Sequence, residues 1–275
     1  MQLRFLGTGT SAGVPIIGCA CSVCTSTDPR DNRTRTSAVL ELTDADGHPR
    51  VILIDASPDL RQQVLREGIE RIDAILITHD HADHVFGLDE VRRFNVMMES
   101  SIPVYADGAT HTSLRRVFPY ILDRQGPAES FVSDLTPITV EPLVPFELFG
   151  LTVTPVPLLH GRQPILGFRF DDPVRRSDRD ALLPLSYCTD VSAFPDREPL
   201  NAWPALAGTR TLVLDCLRHR PHPTHLTVEQ AVEASARIGA SRTFLVHMTH
   251  DLGHAETQRG LPGGVALAYD GLIVT

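Results

Sequence analysis

The stretch that decides the fold is Ile72–His84, I-D-A-I-L-I-T-H-D-H-A-D-H. Its first part, Ile72–Thr78, is apolar apart from Asp73 and rich in β-branched side chains, which predicts a buried strand. Metal-binding side chains follow directly: His79, His81, Asp83 and His84. A polar turn that holds three histidines at this spacing by chance is the weaker explanation. The pattern H-x-H-x-D-H therefore predicts a metal site at the end of a buried strand.

Length and composition are those of a globular protein. The chain has 275 residues, 42% hydrophobic and 21% charged, enough for one large α/β domain or two small ones. No apolar run approaches the ~18 residues of a membrane span. The first residues, Met1–Gly9, lack the basic and apolar segments of a signal peptide and predict a strand. We therefore expect a cytoplasmic protein without a membrane segment.

The net charge narrows the choice of partner. It is −9 at pH 7 with histidine neutral, which disfavours a large polyanion such as nucleic acid. The basic stretch at 175–179 is interleaved with aspartates and predicts a solvated loop. A small phosphate-containing substrate stays compatible with this charge, because bound metal ions would offset it locally.

The cysteines indicate a second metal site. There are five, and three of them form the motif Cys19-x-Cys21-x-x-Cys24. Without a secretory signal, a metal site is favoured over disulfides, although free thiols in a loop are the alternative. Tetrahedral zinc needs four ligands, so the fourth must come from elsewhere in the chain. Cys188 and Cys216 stand in apolar surroundings and are expected to be buried small hydrophobes.

Other predicted strands also end in metal-binding side chains: His160, Asp190 and His247. Strand ends meet at one edge of an open sheet, where ligands bind, so we expect these residues to join the Ile72–His84 stretch there. Asp55 ends a further strand. It is expected either to orient a metal-bound imidazole or to cap the next helix, and both interpretations stay open.

The remaining patterns predict an irregular alternation of strands and helices. Thr227–Ile238 is predicted to be a helix whose first residue is the N-cap, with Gln230 at the reciprocal capping position. The stretch Val140–Leu159 predicts several short strands broken by prolines. Residues 265–275 predict a closing strand pair around Asp270-Gly271.

The H-x-H-x-D-H motif with the later strand-end ligands resembles the metallo-β-lactamase superfamily of hydrolases. The resemblance covers nearly the whole chain and rests on His79, His81, Asp83, His84, His160, Asp190 and His247. It implies an α/β fold, an αββα sandwich over residues 1–275 as a single domain. A dinuclear metal site would lie at the edge of the sheets.

A narrower resemblance is to the cyclic phosphodiesterases of the phosphonate (carbon–phosphorus lyase) pathway. It lies in G-T-G-T-S-A-G-V-P at 7–15, in the three-cysteine motif and in His247-x-x-His250. It implies that one catalytic ion, Mn or Zn, is held by His79, His81 and His160. A second is held by Asp83, His84 and His247, with Asp190 bridging. A structural zinc is held by Cys19, Cys21, Cys24 and His250.

The resemblance also implies a reaction. It is the hydrolysis of a small phosphate ester, cyclic esters included, by a metal-bridging hydroxide, with Asp83 and a general acid as the catalytic residues. His225 matches the family's catalytic histidine because it precedes the helix that starts at Leu226-Thr227. His219 and His222 are rivals for the same role. The resemblance further implies a homodimer.

Alternative functions share this ligand set. A tRNA 3′-processing endonuclease would use the same seven ligands, but the net charge of −9 disfavours it. Thioester or lactam hydrolysis is compatible with the metals. A non-catalytic accessory protein, of the type found in quinone-cofactor biosynthesis, is disfavoured because every ligand position is filled. The sequence leaves the natural substrate and the choice of catalytic metal open.

Overall fold

The structure is a computed structural model, which describes residues 1–123, 131–174 and 181–275. Along the chain its strands are β1 (Gln2–Gly7), β2 (Ser37–Thr43), β3 (Pro49–Ile54), β4 (Ala74–Leu76), β5 (Ile102–Ala106), β6 (Leu135–Thr139), β7 (Phe146–Leu148), β8 (Leu151–His160), β9 (Gln163–Asp171), β10 (Leu185–Cys188), β11 (Thr211–Asp215), β12 (Arg242–Val246), β13 (Val265–Leu267) and β14 (Ile273–Val274). The basic stretch at 175–179 lies outside the described residues.

The α-helices lie between these strands and after them. They are α1 (Leu60–Glu67), α2 (Ala82–Val85), α3 (Arg92–Met98), α4 (Gly108–Val117), α5 (Pro119–Leu122), α6 (Ala202–Leu206), α7 (Val228–Ile238) and α8 (His254–Gly260). Short 3₁₀ turns cover Pro29–Asp31 and Leu88–Val91. Among the described residues, no helix has the length and apolarity needed to cross a bilayer.

The strands form two sheets that face each other. One has the order β14-β1-β2-β3-β4-β5-β6 and the other the order β13-β12-β11-β10-β9-β8-β7. Side chains such as Phe5, Ile52, Phe168 and Tyr187 fill the space between the sheets. Two further apolar clusters lie under the helices on the outer faces, one per sheet. The predicted αββα sandwich is confirmed.

Parallel pairing brings the strand ends to one edge. β3, β4, β5 and β6 are parallel to one another in one sheet, as are β10, β11, β12 and β13 in the other. β8 joins β10 through the antiparallel β9, so it runs in the same direction as β10. The residues that follow the carboxyl ends of these strands therefore converge at one side of the sandwich.

The stretch from Val140 to Leu159 differs from its prediction. After the short β7, a single ten-residue strand, β8, runs through Pro155 and Pro157. The Pro155 carbonyl accepts from Leu143 N–H, so the backbone polar groups of Pro155 point to the side of β8 where β7 lies. On that side, β7 pairs with β8 only as far as Val153. Because no strand of the described residues pairs with β8 beyond Val153 on that side, the N–H group that a proline lacks removes no hydrogen bond between strands. The prolines therefore do not break the strand.

The predicted closing strand pair is wrong in its partners. β13 pairs with β12 in one sheet, whereas β14 pairs with β1 in the other. The connection crosses the sandwich and is fixed by Asp270. Its carboxylate accepts hydrogen bonds from the backbone N–H and hydroxyl groups of Thr8 and Thr34. The Asp270-Gly271 pair predicted the position of the turn correctly, but not the strands with which β13 and β14 pair.

Two local predictions are confirmed closely. The α7 helix begins after Thr227, whose side chain accepts from Gln230 N–H while the Gln230 side chain accepts from Thr227 N–H. The decisive stretch Ile72–Thr78 is buried, although only Ala74–Leu76 pairs as a strand. Pairing ends there because the Thr78 N–H donates to the carboxylate of Asp55 instead of to a neighbouring strand.

Candidate metal centre

The residues predicted for a dinuclear site meet at the edge of the sandwich. We call them the edge cluster: His79, His81, Asp83, His84, His160, Asp190 and His247. In overlapping groups of three, their ligand atoms lie within 4.8 Å of one another. They come from the ends of β4, β8, β10 and β12 and from α2, so both sheets contribute.

One half of the edge cluster consists of three imidazoles. The ring of His79 lies 4.6 Å from that of His81 and 5.5 Å from that of His160, centroid to centroid. Nε2 of His79 is buried and has no hydrogen-bond partner. Nδ1 of His160 donates to the Thr224 carbonyl at 2.8 Å, which leaves Nε2 of His160 as the free nitrogen. Such nitrogens suit a metal ion as their common partner.

The other half has the dimensions of a tetrahedral ion site. His84 Nε2 lies 3.4 Å from Asp83 Oδ2 and 3.2 Å from Asp190 Oδ2. His247 Nε2 lies 3.5 Å from Asp83 Oδ2 and 3.2 Å from Asp190 Oδ1. Metal–ligand distances of ~2.1 Å in a tetrahedron place ligand atoms ~3.4 Å apart. The donor set and its spacing therefore fit a divalent ion.

The electrostatics favour the ligating forms of the two carboxylates and of His79, whereas at His84 and His247 burial is outweighed by the nearby carboxylates, chiefly Asp190, which raise the pKa. Burial opposes ionisation of Asp190, but His247 and His84 outweigh it and lower its pKa. Burial also opposes ionisation of Asp83, but hydrogen bonds from His247 and His84 outweigh burial and lower the pKa of Asp83. Burial lowers the pKa of His79 well below its ordinary value, so this imidazole is neutral at pH 7. Ionised carboxylates and neutral imidazoles are the forms that bind metals.

Asp55 orients two of the imidazoles. Its Oδ2 accepts from His84 Nδ1 at 2.7 Å and from the Thr78 hydroxyl at 2.9 Å. That hydroxyl lies 2.9 Å from His79 Nδ1 and, having given its proton to Asp55, accepts from His79. Nε2 is thereby left free on both histidines. Of the two interpretations of Asp55, the orienting one is right, since α1 begins after Asp59.

Strained backbone occurs at this edge. Asp55, Asp190 and His247 have φ of 59°, 58° and 64°, the left-handed region that residues other than glycine rarely adopt. Asp55 and His247 directly follow β3 and β12, and Asp190 lies two residues after the end of β10. Such strain persists only where the surroundings determine it, and it concentrates at functional sites. Nothing in the sequence reveals these conformations.

His225 lies beside the edge cluster with a carboxylate partner. Its ring is 4.7 Å from those of both His160 and His247. Nδ1 of His225 donates to Oδ1 of the buried Asp215 at 2.9 Å, and Asp215 Oδ2 accepts from Leu226 N–H. Asp215 is the last residue of β11, and no motif in the sequence singles it out.

The two rival histidines lie elsewhere on the same loop. His219 is exposed and pairs with Glu229 at 3.0 Å. The His222 ring lies 5.3 Å from that of His225. Of the three histidines, His225 therefore has the position and the partner that proton transfer to a substrate at the edge cluster requires.

The cysteine motif forms a second cluster with the histidine that follows β12. We call Cys19, Cys21, Cys24 and His250 the cysteine cluster. Its three Sγ atoms lie 3.3, 3.4 and 3.4 Å from His250 Nδ1. Tetrahedral zinc with thiolate and imidazole ligands places these atoms ~3.5 Å apart. A hydrogen bond from Cys24 N–H lowers the pKa of Cys21 to about 6, which favours the thiolate that binds zinc.

A buried arginine, which the sequence analysis did not single out, connects the cysteine cluster to the fold. Arg33 is 1% exposed and donates to the carbonyls of Thr249 and Leu252 at 2.9 and 2.6 Å. It also pairs with Asp31 at 3.0 Å. The turn that carries His250 is thereby held to the N-terminal segment by side chains as well as through the cysteine cluster.

Comparison with known proteins gives a family match. The family model described as Beta-lactamase superfamily domain matches residues 50–248. An octanoyltransferase of Porphyromonas gingivalis is 38% identical over 278 residues, which cover 99% of this chain and 51% of the relative. The coenzyme PQQ synthesis protein B of Methylorubrum extorquens is 35% identical over 101 residues, 34% of each protein. The chain therefore spans about half the length of the octanoyltransferase.

Solved structures share the whole fold. A diphosphatase of the PhnP family is 41% identical, with a TM-score of 0.85 over 100% of this chain and 97% of the other. The zinc-bound PqqB of Methylobacterium extorquens has a TM-score of 0.72 at 22% identity, covering all of both chains. Human tRNase Z, short form, has a TM-score of 0.68 at 18% identity over 100% and 99% of the chains. The last two likenesses concern the fold alone.

Proposed function

Since the chain belongs to the Beta-lactamase superfamily, we propose that it is a metal-dependent phosphodiesterase for a small phosphate ester, cyclic esters included. The observation that carries the proposal is the complete edge cluster, in which every ligand position converges on one edge. The placement of His225 beside the edge cluster supports hydrolysis over a purely structural role, because a metal site that only stabilises the fold needs no proton donor.

The edge cluster would hold two divalent ions, Mn or Zn. One would bind His79, His81 and His160, the other Asp83, His84 and His247, with Asp190 between them. When bound, such a pair supplies Lewis-acid activation of the phosphoryl group and of the attacking water. The cysteine cluster would hold a structural zinc.

The chain's own residues would orient and protonate the reacting groups. Asp55 holds the His84 ring and, through Thr78, the His79 ring in the orientation that presents Nε2. Asp215 accepts from Nδ1 of His225, so the proton for the leaving group would come from Nε2 of His225. The hydrogen bond to Asp215 also fixes the orientation of the His225 ring.

A second candidate is the hydrolysis of a diphosphate linkage. The likeness at 41% identity to a diphosphatase over the whole chain supports it. Diester and diphosphate hydrolysis both need attack at phosphorus and protonation of a leaving oxygen, so one site serves either. The octanoyltransferase name belongs to a relative about twice as long, of which this chain spans 51%. The net charge of −9 disfavours the tRNA endonuclease alternative.

The test is a substrate panel with defined metals. The Mn- or Zn-loaded protein should hydrolyse bis(p-nitrophenyl) phosphate at least ~10-fold faster than p-nitrophenyl phosphate. Cyclic nucleotides, ribose cyclic phosphate, a dinucleoside diphosphate and precursor tRNA complete the panel. Cleavage of precursor tRNA at low enzyme concentration would favour the endonuclease. No hydrolysis of any diester or diphosphate with Mn, Zn, Fe or Ni would overturn the proposal and favour an accessory role.

A further inference from the structure

His222 lies beside His225 and has no role in the reaction as proposed above. It is partly exposed, and its ring lies 5.3 Å from that of His225. His225 in turn contacts the rings of His160 and His247 at 4.7 Å. The order from the edge cluster outward is therefore His225 and then His222.

Hydrogen bonds within the loop fix the tautomer of His222. The backbone N–H of Thr224 lies 3.4 Å from Nδ1 of His222, and the Thr224 hydroxyl lies 3.1 Å from the same atom. A backbone N–H can only donate, so Nδ1 is the acceptor and the proton is on Nε2. His222 thus offers one N–H donor that no residue within its own loop uses.

The loop that carries His222 is held rigidly. Pro221 and Pro223 restrict the backbone on both sides of the histidine. The guanidinium of Arg218 donates to the carbonyls of Arg220 and Pro221 at 3.2 Å each. Because this loop is already ordered, binding of a ligand would cost little of the loop's conformational entropy. His222 can therefore donate a hydrogen bond at low entropic cost.

The loop is also fastened to the edge cluster. The Thr224 carbonyl accepts from His160 Nδ1 at 2.8 Å. A side chain in place of the neighbouring Gly161 would meet Thr224 Cγ2 at 2.9 Å, so the loop lies directly on the end of β8. The distance between His222 and the reacting phosphorus is therefore set by the fold.

We infer that His222 is a specificity-determining residue that binds an anionic phosphoryl group carried by the leaving group. This inference rests on the proposed function. Water adds to the phosphorus at the edge cluster, and the bond to the bridging oxygen breaks. That oxygen departs with its substituent and takes a proton from Nε2 of His225. The substituent extends past His225 towards His222, where a phosphoryl oxygen accepts from Nε2–H.

The chemistry of His222 suits a phosphoryl oxygen. Burial, then the nearby His225 and Arg218, lowers the pKa of His222, so at pH 7 it is a neutral donor. Its loop also carries Arg218, whose charge favours an anion, whereas Arg220 is paired with Asp251 at 3.4 Å. A leaving group that is itself a phosphate monoester, as in a diphosphate diester, has the required oxygen. An aryl leaving group does not.

The experiment compares two substrates on matched variants of the metal-loaded, full-length protein. The substrates are a dinucleoside diphosphate and bis(p-nitrophenyl) phosphate, and the variants are His222→Ala, His222→Gln and the control His219→Ala. Loss of a hydrogen bond to a charged group should lower kcat/KM of His222→Ala for the diphosphate roughly 10- to 100-fold, mainly through KM. Hydrolysis of the aryl diester should change less than about threefold.

His222→Gln should recover much of the loss, because its amide places an N–H near the position of Nε2. His219→Ala should match the wild type on both substrates. Equal effects of His222→Ala on the two substrates, or none on either, would overturn the inference while leaving the proposed function intact. A wild type that cleaves the aryl diester but not the diphosphate would also overturn the inference. Failure on every diester and diphosphate of the panel would overturn the proposed function itself.

Discussion

The edge cluster and the cysteine cluster differ in how the fold holds their residues in place. Residues of the edge cluster follow strands of both sheets and are held by buried carboxylates, chiefly Asp55. The cysteine cluster takes three ligands from one loop, in which Cys19, Cys21 and Cys24 are all partly exposed. The strands and the buried carboxylates therefore hold the residues of the first cluster in place, whereas the geometry of the second depends more on the ion that it would hold.

We therefore expect substitutions in the edge cluster to affect catalysis and substitutions in the cysteine cluster to affect stability. In the edge cluster a lost ligand removes metal chemistry while the sheets still define the edge. In the cysteine cluster a lost ligand releases the loop that ends near Cys24 from the turn at His250. Arg33 would remain as the link between these segments, through its bonds to Thr249 and Leu252. The following substitutions test whether the two clusters are independent, from the largest expected effect to the smallest.

Removal of a ligand from the edge cluster should have the largest effect. His79→Ala should lower kcat/KM for bis(p-nitrophenyl) phosphate by roughly 10³-fold or more, because Lewis-acid stabilisation of the transition state is worth several kcal/mol. Elemental analysis should still find the zinc of the cysteine cluster. Retention of more than about a tenth of the wild-type activity would show that the edge cluster is not the catalytic centre.

Removal of the proposed proton donor should depend on the leaving group. His225→Ala should slow hydrolysis of an alkyl phosphodiester by roughly 10²–10³-fold, since an alkoxide needs a proton. A p-nitrophenolate leaves readily unprotonated, so its diester should lose less than about tenfold. Steady-state rates on the two esters give the comparison. Equal losses on both would instead indicate that His225 acts in binding or as a ligand.

A substitution of the orienting carboxylate tests how far the core builds the edge cluster. Asp55→Asn keeps only one acceptor oxygen. It cannot accept the bonds that His84 and the Thr78 hydroxyl donate to Oδ2 and also the bond that Thr78 N–H donates to Oδ1, so metal affinity should fall roughly 10- to 100-fold. Competition with a chromogenic chelator measures this. The control is Asp59→Asn on the same loop, whose carboxylate accepts from the backbone N–H and the guanidinium of Arg35. Equal affinities in both variants would contradict an orienting role for Asp55.

A substitution in the cysteine cluster should affect activity least. Cys21→Ser should remove about one zinc per chain and lower Tm by roughly 5–10 °C, since a structural zinc contributes several kcal/mol to folding. The turnover of Mn-loaded protein should stay within about threefold of wild type. Ser22→Ala, the adjacent position, is the control. An unchanged zinc content in Cys21→Ser would refute a zinc site, and a large loss of turnover would show that the clusters are coupled.

How much of the site the sequence predicts depends on how local its signals are. His79 to His84 stand in one motif, and three cysteines stand in another, so spacing alone identifies them as ligands. The choice among His219, His222 and His225 is different. It depends on Asp215, which is ten residues from His225 in sequence and reaches it only through the turn between β11 and α7. Spacing within the loop holds no information on that contact.

Local motifs predicted the candidate ligand residues and the capping of α7, and the resemblance that those motifs carry predicted the αββα class, which the structure confirms. Only the tertiary structure decided that Asp55 orients rather than caps and that β8 runs through its prolines. It also decided that β13 and β14 belong to different sheets. These outcomes depend on partners far away in sequence, such as Asp55 with His84 and β14 with β1. Burial against such partners, rather than local preference, fixes the backbone there.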